Sequence, residues 1–306
     1  MFGNHNCALS VIKVILMRTF VQDLRYSARN LLRSRGFAAV AVLTLAAGIG
    51  ANTAIFSIID AVLLRPLPYR NPDRLVRLYE TEAAPGKYPF TGPDFIDWKT
   101  QNSTFSDMTL FNWPSDMNLS GQGQADQVRG VPAEANFFSL LGVHPILGRA
   151  WATGEDQPGK DDVVILGYAL WQSRFAGDPK AVGQSLELNA RRCTIIGVMP
   201  AGFNFPFQAQ LWTPLDMSGK GLGERGSHSF GAIGRLKPGV TVPKAQADVA
   251  LIASRLEKAY PDTNHKVGAV VAPLQEDLIG KSRDSLAMML SAVGLTCIAV
   301  ALLFTR

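Results

Sequence analysis

The sequence predicts an α+β extracytoplasmic domain flanked by two transmembrane helices. Three observations carry this. Two long runs, 36–59 and 285–305, contain no charged side chain. The residues after Ile59 hold as many acidic as basic side chains, as a folded, soluble stretch would. Strand–helix–strand units open and close that stretch around a more β-rich middle, the order expected when a β-rich piece is inserted into a split α/β unit. Composition agrees. Hydrophobic residues make up 47% of the 306 and charged residues 18%, against about 25% in soluble domains. Disorder is excluded by that balance.

The arm at 1–35 comes first. The net charge of +5 resides here: Lys13, Arg18, Arg25, Arg29, Arg33 and Arg35 face Asp23 alone. A basic excess confined to one side of an apolar run is a topology signal rather than a nucleic-acid footprint. From Met17 to Ser34, Phe20, Leu24, Ala28, Leu31 and Leu32 share a helical face. Four of the arginines lie largely elsewhere, which predicts an amphipathic helix on the inner membrane surface. Residues 1–16 carry no such pattern, and Met17 offers a second start.

The run 36–59 is 24 residues long. At about 1.5 Å per residue it reaches roughly 36 Å, enough to cross a hydrocarbon core of about 30 Å. Ala46, Gly50 and Ala54 form a small-residue stripe that suits close helix packing, and Asn52, Thr53 and Ser57 add polar groups. The arginines before it place the N-terminus in the cytoplasm. Residues 60–284 are then extracytoplasmic, and the second span, 285–305, brings the chain back inside. This topology puts Cys7 inside, Cys193 outside and Cys297 in the membrane, so no intramolecular disulfide is expected.

Within 60–284, Pro66, Pro68 and Pro72 stiffen the exit from the membrane. Leu75–Tyr79 alternates as a strand. Thr91-Gly92-Pro93-Asp94 opens a helix with Phe95, Trp98 and Phe105 as core contacts. Asp94 and Asp97 read as carboxylates that favour the helix dipole, with acid/base work as the alternative. Leu110–Leu119 and Gln127–Val131 read as strands, Phe137–Leu141 as a helical turn stopped by Gly142. Val163–Leu166 is a strand and Tyr168–Phe175 a helix. Ser185–Leu188 and Cys193–Val198 form a hairpin about Asn189-Ala190-Arg191. Phe203, Phe205, Phe207 and Trp212 line either the core or an aromatic ligand pocket. Ser229–Leu236 is a strand and Val242–Tyr260 a helix with Ala245, Val249, Ile252 and Leu256 as its stripe. Lys266–Leu274 is the last strand.

Catalytic signatures are missing: the sequence has no GxxxxGK[ST], HExxH, CxxC or GxSxG. His5, His144, His228 and His265 lack metal-ligand spacing. His228 with Glu224 and Arg225 reads as a polar loop. No catalytic, cofactor or metal residue is therefore assigned.

Six stretches carry a resemblance. DLRYSARNLLRSRGFAAVAVLTLAAGIGANTAIFSIIDAVLLRPLPY (Asp23–Tyr69) resembles the start of MacB/FtsX-like ABC-transporter permeases. It is most similar to the large duplicated permeases frequent in acidobacteria. GVPAEANFFSLLGVHPILGR (Gly130–Arg149), VVILGYALWQSRFAGDP (Val163–Pro179), IIGVMPAGFNFP (Ile195–Pro206), RLKPGVT (Arg235–Thr241) and VVAPLQEDLIG (Val270–Gly280) follow in the family's order. The resemblance implies a MacB-like periplasmic core domain with a porter-like part and an insertion at about 131–227. It also implies an ABC ATPase as partner, a second permease half, and mechanotransmission across the cytoplasmic membrane without ATP hydrolysis by this chain. Family members continue past the second span, whereas this sequence stops at Arg306; the expectation is a fragment, a frameshifted remnant or half of a split gene. A two-span receptor with an extracytoplasmic ligand-binding domain is the alternative.

Overall fold

The computed structural model describes residues 67–278 apart from 83–85, 122–124 and 219–221, together with scattered positions between 36 and 57 and between 280 and 294. The chain divides into two compact units, one of residues 1–65 with 279–306 and one of residues 66–278. In the first, the described positions from Gly36 to Ser57 are helical. There the hydroxyls of Thr53 and Ser57 each donate to the carbonyl four residues back, at 2.8 Å, which satisfies polar groups inside an apolar helix. No helix among the described residues is long and apolar enough to cross a membrane. The arm at 1–35 and most of both expected spans lie outside the described residues.

The second unit begins as a split βαβ fold. Strand β1 (Leu75–Thr81) leads to helix α1 (Gly92–Gln101) and strand β2 (Phe105–Asn112). Much later, β10 (Phe230–Leu236), α4 (Val242–Ala259), a short α5 (Pro261–Asn264) and β11 (Gly268–Pro273) complete it. The four strands lie in the order β11-β1-β10-β2, all antiparallel. Both helices pack on one face. The α1 start follows local rules: Thr91 Oγ1 accepts from the Asp94 N–H at 3.2 Å, and Pro93 occupies the first turn, where its missing N–H costs nothing. Phe95 and Trp98 of α1 and the predicted Ala245–Val249–Ile252–Leu256 stripe of α4 meet Val76, Leu78, Leu110 and Ala232 of the sheet in one core.

Between β2 and β10 the chain builds a closed barrel. Strands β3 (Ser115–Ser120), β4 (Asp126–Ala133), β6 (Val163–Leu166), β7 (Ser185–Leu188), β8 (Arg191–Val198) and β9 (Leu211–Pro214) form the ring β4-β3-β7-β8-β6-β9, which β4 closes by pairing in parallel with β9. A two-residue strand β5 (Leu147–Gly148) adds to β8. Every ring strand contributes to one interior cluster, which includes Leu119, Val128, Leu166, Leu186, Ile195 and Leu211. Closure leaves the ring without a free strand edge. Helix α3 (Tyr168–Phe175) adds Leu170 and Trp171 to that cluster. The β7–β8 hairpin turns through Asn189 and Ala190 alone, both at positive φ (50° and 62°), so Arg191 already belongs to the strand.

Two expectations shift. The run Leu110–Leu119 is two strands, not one, because Trp113-Pro114 interrupts it; proline has no N–H for the ladder. The insertion, expected from about 131, has its first ring strand at Ser115 and its last at Pro214. The hairpin β3–β4 looks local in sequence, yet β4 shares one register pair with β2 (Phe111↔Ala133) and five with β3.

Sheet and barrel share a third core. Leu75, Phe111 and Ile233 from the sheet meet Val131, Ile165 and Trp212 from the outer barrel face, with α2 (Phe137–Leu141) wedged between them. Because this seam is apolar and continuous, a fragment spanning 66–278 is expected to unfold in one cooperative step, unchanged by chelator or reductant. Two separated calorimetric transitions would contradict a shared core.

Candidate functional site

The alternation that makes β1 a strand also places it centrally. Its partners are β10 on one side and β11 on the other. Val76 at the start of β1 pairs with Pro273 at the end of β11, and Thr81 pairs with Gly268. The chain therefore reaches the sheet and leaves it at the same end, through two neighbouring strands. Just past β11, Asp277 accepts from the Tyr79 hydroxyl at 2.6 Å and from Lys87 Nζ at 3.2 Å.

Two segments join sheet and barrel. The outgoing one is short, Trp113-Pro114. The returning one runs from Leu215 to Ser229, and a polar network on the helix side of the sheet holds it. Even-numbered residues of β1 face the helices, which buries Val76, Leu78 and also Glu80 completely. Glu80 Oε2 lies 2.8 Å from His228 Nδ1 and accepts from the Thr91 N–H at 3.3 Å, while Oε1 has no partner. His228 Nδ1 also lies 3.0 Å from the Pro89 carbonyl, and Nε2 lies 3.3 Å from Glu82. Next to this pair, Arg225 grips Asp94 with one amino group and Asp97 with the other, the latter at 2.6 Å. Its guanidinium sits 3.7 Å from the centre of the Tyr260 ring. Asp94 is buried and also accepts from Asn264 Nδ2 at 3.0 Å.

The electrostatics follow from burial. Desolvation pushes the Glu80 carboxyl up to about 7, against the opposing pull of His228. Its bond to Glu80 carries the His228 imidazole up to about 9. Burial works against the charge on Arg225, but Asp97 and Asp94 outweigh it and hold its pKa above the ordinary value.

The seam has polar ties of its own. Arg235 is buried and donates from Nε and Nη2 to the Leu140 carbonyl, at 2.8 and 2.7 Å, which satisfies the free end of α2. Glu134, at the end of β4, pairs with Lys99 of α1 and accepts from the Leu110 N–H at 3.2 Å. Burial raises its pKa despite Lys99. Trp212 Nε1 donates to the Phe205 carbonyl at 3.0 Å.

These findings place the residues singled out from sequence. Asp94 and Asp97 are a clamp for Arg225 as well as helix-start carboxylates. The Arg225–His228 loop joins them, while the Glu224 side chain stays exposed. Phe203, Phe205 and Trp212 line the seam core, whereas Phe207 is exposed against Trp113 with ring centres 4.9 Å apart. Sequence reasoning missed Glu80 and Asn264. The signal for Glu80 was readable, since a carboxylate continues the Val76–Leu78 face. Cys193 lies buried in the barrel. Among the described residues no group of three or more histidine, cysteine or acidic side chains could hold a metal ion. The arrangement binds elements to one another and offers no nucleophile beside a base.

Comparison with known proteins agrees with this architecture. The family model described as the MacB-like periplasmic core domain matches residues 38–252. A domain of a putative permease protein from Porphyromonas gingivalis is 18% identical, with a TM-score of 0.51, covering 67% of this chain and 93% of that one. The periplasmic region of MacB from Actinobacillus actinomycetemcomitans is 14% identical, with a TM-score of 0.50, covering 69% and 92%. At these identities the structures speak for the fold alone. No curated protein matches the chain. The receptor alternative gains no support from these matches. With more than half of its residues matched, and with a split βαβ sheet that carries an inserted barrel, the chain belongs to the MacB-like periplasmic core domain family of ABC-transporter permeases.

Proposed function

We propose that this chain is a permease component that carries motion across the cytoplasmic membrane to a periplasmic domain, with a separate ABC ATPase as its engine and a second permease half as its companion. The observation that carries the reading is the pairing of β1 with β11. Both connections to the apolar runs leave one end of the sheet side by side. A relative movement of two membrane helices would thus be delivered to adjacent strands, and from there through the seam core to the barrel. Export or extraction of a substrate by such movement needs no catalytic group in the domain.

Topology is the direct test. Cys7, Cys193 and Cys297 are replaced, and single cysteines are placed at Phe20 and at the exposed Lys160. In intact spheroplasts an impermeant maleimide is expected to label position 160 and to spare position 20 until the membrane is opened. Labelling at 20 but not at 160 would reverse the orientation and defeat the proposal.

A further inference from the structure

Besides backbone bonds from Leu215, Met217 and Ser229 to Ala133, Asp156 and Phe90, the returning segment from barrel to sheet is held at three positions, 222, 225 and 228. Its Leu222 backbone lies against Gly92 so closely that a Cβ there would collide with the Leu222 carbonyl. Arg225 is held by Asp94 and Asp97, and His228 by Glu80. The first contact is steric, and the second clamps a guanidinium between two carboxylates. The third joins a carboxyl and an imidazole whose pKa values are about 7 and about 9. We propose that the Glu80–His228 pair is a proton-dependent latch that fastens the return segment to the helix layer of the sheet, tighter as the medium becomes acidic.

Geometry supports this before any titration is considered. Glu80 is fully buried with Oε1 unpartnered, so its charged form lacks hydrogen bonds that water would supply. Its surroundings are mostly anionic: Asp94 of α1 acts on it, and Glu82 shares His228. Arg225 is the nearby cation, but Asp94 and Asp97 occupy it. Glu224, on the segment itself, is exposed, and the Tyr88 ring lies 6.3 Å from the imidazole. A proton placed on either member therefore relieves an excess of negative charge.

Both members have raised pKa values in the closed arrangement, Glu80 at about 7 and His228 at about 9. If opening returns them to their ordinary values of about 4.5 and 6.5, closing takes up protons throughout the interval between about 4.5 and 9. The His228 contribution is fully present below 6.5 and is lost as pH rises through about 9. The Glu80 contribution is fully present below 4.5 and is lost as pH rises through about 7. Both signs agree: acid closes and alkali releases.

The test is hydrogen exchange on the full chain in lipid nanodiscs, corrected for intrinsic rates, at about pH 6 and about pH 9. Protection of residues 222–229 is expected to fall by roughly tenfold or more from the lower to the higher pH, with β7 and β8 unchanged. The double variant Glu80→Gln/His228→Gln is expected to show less than about threefold change, because neither replacement titrates. An equal response in wild type and double variant, or no response in wild type, overturns the latch. Should β1 and β11 of the double variant lose protection, His228→Gln alone serves. It must then show a changed pH response over the same interval, and a response identical to wild type overturns the proposal equally.

Discussion

Replacing Trp212 with alanine is expected to destabilise the 66–278 unit by about 3–5 kcal/mol, the range for removing a fully buried aromatic side chain. Trp212 has no exposed surface and stands on the outer face of β9. Its ring lies 5.1 Å from that of Phe203 and 5.8 Å from that of Phe138, and its Nε1 bond to Phe205 closes the loop between β8 and β9. Truncation would leave a cavity in the one core that sheet and barrel share and would strand the Phe205 carbonyl. In a domain of this size each kcal/mol shifts the melting temperature by about 2–4 °C, so a fall on the order of 10 °C is expected by calorimetry. Leu166→Ala, inside the barrel, should also destabilise, but only Trp212→Ala should separate the unfolding of the two parts. A loss below about 1 kcal/mol would mean that the seam is not a packed core.

The second large effect is expected at Asp94. Removing one partner of a buried ion pair costs about 3–5 kcal/mol, since the remaining charge loses its counterpart. Asp94→Ala would leave Arg225 with Asp97 alone, leave Asn264 Nδ2 without its acceptor, and remove a carboxylate from the first turn of α1. Asp97 keeps part of the clamp, which places the expected loss near the lower end, about 3 kcal/mol. Denaturant unfolding of the full chain measures it. A double-mutant cycle with Arg225→Met isolates the pair, with an expected coupling of about 1 kcal/mol or more. A coupling of zero would show that Arg225 packs on Tyr260 without using Asp94.

Much of the local structure was legible because its causes are local. Thr91 and Pro93 set the start of α1, and Gly142 at φ 73° ends α2. The three- and four-residue spacing of the α4 stripe and the alternation of β1 needed no partner to be read. The polar cluster was only half legible. Arg225 and His228 stood out as a loop, and Asp94 and Asp97 as a helix start. That the two meet depends on a contact across 131 residues of chain.

The sequence by itself determined most of the elements, the split α/β order and the family resemblance. These depend on residue type and short spacing, which one chain displays directly. Tertiary structure decided the rest. Whether β3 and β4 extend the first sheet or begin a barrel depends on which edge offers longer pairing, and the parallel closure of β4 on β9 joins strands about eighty residues apart. Sequence alternation states which face of a strand is apolar, not which partner covers it. The same limit applies to Glu80: its charge is written in the sequence, but the desolvation that brings its carboxyl to about 7 comes from α1 and the return segment folding over it.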